Sequence, residues 1–207
     1  MPPCSFLPSR RGSILLFEPT RLEGAWVLEV ERRGDERGFF GRGWCRKELE
    51  AQGLVAGFVQ GNIAWSARKG TIRGLHFQAP PFQEIKLVRC TRGAVWDVIV
   101  DLRPGSATYL EWTAFELTAA SRRQIYVPKD FAHGYQTLTD DTEVSYEVTE
   151  YYRPEAERGV RWNDPQFAIA WPDPISPTVS PKDCGWPDYQ RSVAAAQGTW
   201  GSSGFPR

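Results

Sequence analysis

The sequence holds two histidines, His76 in Arg73-Gly74-Leu75-His76-Phe77-Gln78 and His133 in Phe131-Ala132-His133-Gly134. Histidine is the side chain best suited to exchange a proton near neutral pH, so each is a candidate general base. The bland reading of either one is a hydrogen-bonded structural residue. Neither has the company a metal needs. An H-x-H pair would require histidine at position 74, where Gly74 stands, and Cys4, Cys45, Cys90 and Cys184 are scattered with no C-x-x-C pair. We therefore expect a pocket without metal, and the cysteine spacing fits a reducing cytosol better than a disulfide framework.

The segments that must position these groups read as short strands. From Gly24 to about Trp171, runs of β-formers are broken by turn residues, which predicts an all-β sandwich or barrel. The clearest strand runs from Ala94 to Leu102. Trp96, Val98, Val100 and Leu102 share one face, while Asp97 and Asp101 alternate with Val95 and Ile99 on the other. Turn dipeptides, Arg92-Gly93 and Pro104-Gly105, close its two ends. A second strand, Glu143 to Thr149, puts Val144, Tyr146 and Val148 on one face and so points Tyr146 inward. Only Arg46 to Gln52, stopped by Gly53, reads as a helix.

A chain of 207 residues supports one domain, here 1–207, with an N-terminal arm over about 1–20 and a mobile tail over about 190–207. The 25 basic residues balance the 25 acidic ones, so no general positive field exists to hold a nucleic acid or an anionic membrane. The apolar run Ile14 to Phe17 is too short for a signal peptide or a membrane span, which suggests a soluble, cytoplasmic protein.

Five words in one order carry more information than any single residue: Asp35-Glu36-Arg37-Gly38-Phe39-Phe40, Arg73 to Gln78, Lys86-Leu87-Val88-Arg89, Phe131 to Gly134, and Trp162-Asn163-Asp164-Pro165. Together they resemble the dTDP-4-dehydrorhamnose 3,5-epimerase family over roughly residues 22 to 184. The resemblance implies a double-stranded β-helix, the cupin jelly roll, with short peripheral helices, acting as a homodimer without cofactor or metal on a nucleotide-diphosphate 4-keto-6-deoxy sugar. It also implies roles. His76 is the base, and Asp183, after Lys182, orients and charges it. Tyr146 is the facing acid, and Lys86 stabilises enolate charge. Arg37, Gln60, Asn62, Arg73, His133, Glu157 and Lys182 hold the ligand. A hydrogen beside a ketone is acidic because its carbanion delocalises into an enolate, so a base, an enolate stabiliser and an opposed acid suffice for inversion.

The chain departs from the family pattern at Arg42, Gly61 and Glu147, positions where an acidic, a larger and a basic residue are common. Arg42 and Gly61 are expected to alter ligand contacts. They keep open a restricted 3- or 5-epimerase acting on another nucleotide sugar. A non-catalytic nucleotide-sugar-binding cupin is the reading from another class. Against it, His76, Lys86, Tyr146 and Asp183 all occur together.

Overall fold

A computed structural model describes residues 15–190. Strands β1 (Leu15–Pro19), β2 (Trp26–Val30), β10 (Gln124–Val127), β7 (Lys86–Arg92), β12 (Thr142–Val148) and β5 (Gln60–Ser66) pair in that order into a first sheet. The second sheet runs β13 (Glu157–Gly159), β6 (Thr71–Gln78), β11 (Phe131–Thr137), β8 (Ala94–Asp101), β9 (Trp112–Thr118), with β14 (Thr178–Val179) added parallel to β6. A separate ribbon pairs β3 (Arg33–Asp35) with β4 (Gly38–Phe40). All other pairings are antiparallel, and the two sheets face one another as a jelly-roll sandwich. Helix α1 (Arg46–Ala51) ends one residue before the expected limit, with Gly53 at φ +76° just past it.

The alternation read from the sequence decides what lies between the sheets. Val88, Cys90, Ile125 and Val144 from the first sheet meet Val95, Ile99, Leu117 and Tyr135 from the second in one buried cluster. Burying each such side chain contributes about 1.5–3 kcal/mol, so this layer fixes the sheet spacing that the pocket inherits. The fully apolar face of β8 looks the other way. Val98, Val100 and Leu102 pack outward under Val160, Phe167 and Trp171 of the long segment after β13. The aspartate-bearing face is the inward one, and it holds Asp97 and Asp101 with no exposed surface.

That outer segment sets the path of the chain toward the site. After crossing the second sheet it forms β14 against β6, then helix α2 (Pro181–Cys184). This stretch is rich in proline and has no helical periodicity. The helix forms because Ser180 caps it, its hydroxyl accepting from the Asp183 N–H at 3.0 Å, and Pro181 supplies a preset φ at the first helical position. Part of the expected N-terminal arm is also structured, since residues 15–19 are β1 on the sheet edge. The rest of that arm and the expected tail, apart from residue 190, lie outside the described residues.

Candidate active site

Arg73 and His76 are three residues apart, a spacing that puts side chains on opposite faces of a regular strand. Here β6 carries one more residue than β11 between the pairs His76↔His133 and Arg73↔Tyr135, a bulge that returns both side chains to the cavity. Gly74 makes the bulge possible. Its φ is +127°, and a Cβ there would stand 2.6 Å from the Gly134 Cα and 2.8 Å from the His133 carbonyl oxygen. No side chain of any kind fits at position 74, so the strand cannot offer an H-x-H pair. Among the described residues no group of three or more His, Cys, Asp or Glu is placed to hold a metal ion.

His76 lies on the inner face of the second sheet, and α2 brings Asp183 to it from 107 positions away. The imidazole Nε2–H donates to Asp183 Oδ1 at 2.6 Å, and the Gly74 N–H donates to Oδ2 at 3.3 Å. Burial pushes the Asp183 carboxyl up, but these hydrogen bonds and the charge of His76 outweigh it and leave the group below the ordinary carboxylate range. The ionised carboxylate accepts from Nε2–H, and in the neutral imidazole this places the lone pair on Nδ1.

The opposite wall belongs to the first sheet. Tyr146 on β12 points between the sheets, as the alternation required, and packs against the inter-sheet core. Burial, followed by the nearby Glu84 and Glu157 charges, raises its hydroxyl above the ordinary phenol value, so it keeps its proton at neutral pH. Lys86, at the start of β7, is almost buried. Its Nζ donates to the His76 carbonyl oxygen at 3.3 Å and pairs with Glu84 at 3.2 Å. The Glu84 carboxylate offsets the cost of burying that cation. Sequence reasoning missed Glu84, which sits outside any strand two residues before Lys86.

His133, the cross-strand neighbour of His76, pairs through Nε2 with the buried Asp97 at 2.9 Å. In the sequence Asp97 was visible only as a charge on the less apolar face of one strand. His133, Arg73, Lys182 and Asp183 line a cavity of about 460 Å³ that also includes His76, Lys86 and Tyr146. An adjoining lobe of about 210 Å³ shares those last three residues and adds Gln60, Asn62 and Glu157. Glu157 is held by Lys182 at 2.5 Å and by the Tyr152 hydroxyl at 2.8 Å. Burial raises the Glu157 carboxyl, and these two partners more than reverse that, leaving it low. Ten of the eleven residues singled out in the sequence therefore surround two joined lobes. Arg37 does not. It lies at the exposed turn of the β3–β4 ribbon, paired with Asp35, its side chain 84% exposed.

A family model described as dTDP-4-dehydrorhamnose 3,5-epimerase matches residues 19–191. The chain belongs to the dTDP-4-dehydrorhamnose 3,5-epimerase family. It is 44% identical over 170 residues to the Pseudomonas aeruginosa enzyme of that name, covering 81% of this chain and 93% of that one. The Bacillus anthracis epimerase, crystallised with TDP and PPi bound, superposes with a TM-score of 0.82 at 45% identity, covering 84% of this chain and 99% of the other. A Legionella pneumophila 3,5-epimerase in complex with dTDP-4-keto-L-rhamnose matches with a TM-score of 0.79 at 38% identity, over 84% and 92% of the two chains.

Two departures from the epimerase pattern turn out to be one arrangement. Gly61 on β5 is the register partner of Glu147 on β12, and a Cβ on Gly61 would stand 2.7 Å from Glu147 Oε2. The glutamate lies over the space a larger residue would fill. Gly61 faces away from the cavity, while Gln60 and Asn62 on either side of it line the smaller lobe. Gly61 was expected to alter ligand contacts, and it lines neither lobe. Arg42 lines neither lobe and is drawn instead to Glu48 on α1.

Proposed function

We propose that this epimerase inverts carbons 3 and 5 of a dTDP-4-keto-6-deoxyhexose by proton transfer through an enolate, without metal or cofactor. The observation that carries the reading is an oriented His76–Asp183 pair on one wall of the cavity and a protonated Tyr146 on the other. Nδ1 of His76 takes the hydrogen from the carbon beside the ketone. Negative charge then gathers on the ketone oxygen, and the Lys86 ammonium supports it. Tyr146 returns a proton from the far face, and the configuration inverts.

Arg73, His133 and Lys182 in the larger lobe suit the diphosphate and nucleoside, because guanidinium, imidazole and ammonium donors match phosphate oxygens. Gln60, Asn62 and Glu157 in the smaller lobe are set to position the remaining polar groups of the ligand. The complex of the Legionella relative with dTDP-4-keto-L-rhamnose supports this substrate class. A one-carbon epimerase loses support because Gly61, one of the two residues that favoured it, lies on the outer face.

The working unit in this reading is a homodimer in the cytoplasm. Edge strand β5 displays Ile63 and Trp65, 73% and 53% exposed, a pair of large apolar side chains on an unpaired edge. The β3–β4 ribbon is also exposed, yet it is anchored. The guanidinium groups of Arg32 and Arg122 lie over the Phe39 ring, 5.3 and 5.5 Å from its centre. A ribbon held out in this way can carry Arg37 to a second subunit's pocket. No helix of the described residues is long and apolar enough to cross a membrane. Sedimentation at micromolar concentration tests the dimer, and a monomer alone would refute it.

The direct test of roles is His76→Ala. Turnover of the 4-keto-6-deoxy nucleotide sugar should fall about 10²–10⁴-fold or more, with dTDP affinity nearly unchanged, because the base acts on the barrier and not on the ground state. A parallel loss of dTDP binding would make His76 a ligand residue instead.

A further inference from the structure

We propose that Trp186 is a positioning residue that holds the His76 imidazole against Asp183, and that Gly159 is required to admit it. The proposal rests on the reading of His76 as the base. Gly159 on β13 is the register partner of His76 on β6. Cross-strand partners point to the same face, so a side chain at position 159 would lie directly beside the imidazole. Glycine leaves that place open, and the Trp186 indole fills it. A Cβ on Gly159 would be 2.4 Å from Cε2 and 2.5 Å from Nε1 of the indole. The indole and imidazole centres are 6.4 Å apart, with their planes at 67°.

The segment that carries Trp186 is fixed at both ends. Ser180 caps α2 ahead of it, and the Arg161 N–H donates to the Pro187 carbonyl at 3.3 Å behind it. Arg161 also pairs with Asp188 at 2.6 Å. The indole N–H is buried and makes no hydrogen bond within the described residues, so the ring is placed by shape alone. Trp186 lines neither lobe of the cavity.

Its effect passes through His76. One hydrogen bond from Nε2 to Asp183 fixes an atom of the ring but leaves the ring plane free to swing about that bond. An aromatic wall on one side limits the swing and keeps Nδ1 aimed at the substrate. One short stretch, Asp183 to Trp186, thus supplies both the charge that orients the base and the surface that confines it. No local pattern marked this in the sequence, because the contact depends on a glycine 27 positions earlier.

The test compares Trp186→Ala, Trp186→Phe, Gly159→Ala and His76→Asn in the full chain. Trp186→Ala should lower kcat about tenfold to a hundredfold, the cost of a base displaced by about 1 Å. KM and the dTDP dissociation constant should stay within about threefold of wild type. Gly159→Ala, which drives the indole out from the other side, should reproduce that split, and Trp186→Phe should recover most of kcat. The imidazole ¹⁵N signals of His76 should broaden or divide in Trp186→Ala and stay single in Trp186→Phe. A Trp186→Ala enzyme with wild-type kcat beside an inactive His76→Asn overturns the proposal alone. Equal losses of kcat and dTDP affinity overturn it too, by reducing Trp186 to a structural part. Full turnover by His76→Asn overturns the assignment of the base itself. If Trp186→Ala does not fold, Gly159→Ala decides by the same kinetic split.

Discussion

Asp183 acts on His76 through a 2.6 Å hydrogen bond, and its own environment determines how it responds to acid. Because its partners hold the folded-state pKa below the ordinary value of about 3.8, the group adds stability that is complete above the unfolded pKa, near 3.9. That stability is lost as pH falls through the folded pKa. We expect wild type to exceed Asp183→Asn by about 1–3 kcal/mol at pH 7, a hydrogen bond to a charged group, and the gap to close below about pH 4. Denaturant unfolding at a series of pH values measures it, and a gap that stays constant down to pH 3 would contradict the assignment. The residues differ in how far the sequence revealed them. Tyr146 could be placed inward from the alternation of one strand. Asp183 had no local signal and was found only through the resemblance. Glu84 and Asp97 were missed as partners, since nothing in the sequence links Asp97 to His133 36 positions on, or marks Glu84 as the counter-ion of Lys86.

At the scale of elements, strand pattern and turn residues were enough to find β8, β12 and α1 within a residue or two, because period-two alternation and a glycine stop are local properties. The bulge in β6 was not legible. It depends on Gly74 meeting Gly134 across a strand pair, and a lone glycine in a strand does not reveal its partner. That bulge alone lets Arg73 and His76 share the cavity. Gly74→Ala should therefore cost about 2–4 kcal/mol, combining an overpacked backbone contact with a strained positive φ. Activity of the fraction that stays folded should also fall, because Arg73 and His76 lose their common face. Thermal unfolding and specific activity measured together check this. A variant with unchanged melting temperature and unchanged activity would show that the bulge is dispensable. Helix α2 escaped prediction for a related reason, as four residues give no periodicity and only the Ser180-Pro181 cap announces a start.

Over the whole molecule, the sandwich separates support from chemistry. The inter-sheet layer holds an apolar cluster beside the cavity in which the two walls present the proposed base and acid. The outer face of the second sheet is sealed by the segment that ends in Asp183, so the longest connection in the fold also completes the site. The sequence indicated the architecture because strand rhythm extends over most of the chain. It did not show that the more polar face of β8 is the inner one, since that depends on what covers the other face. The central claim is inversion at two carbons by opposed proton transfer, and isotope incorporation tests it most directly. The 4-keto-6-deoxy nucleotide sugar incubated with enzyme in heavy water should gain deuterium at both carbon 3 and carbon 5. Tyr146→Phe should permit exchange without completed inversion, because the proton can return only from the side it left. Deuterium confined to carbon 3, or no deuterium while the nucleotide sugar still binds, would contradict the account.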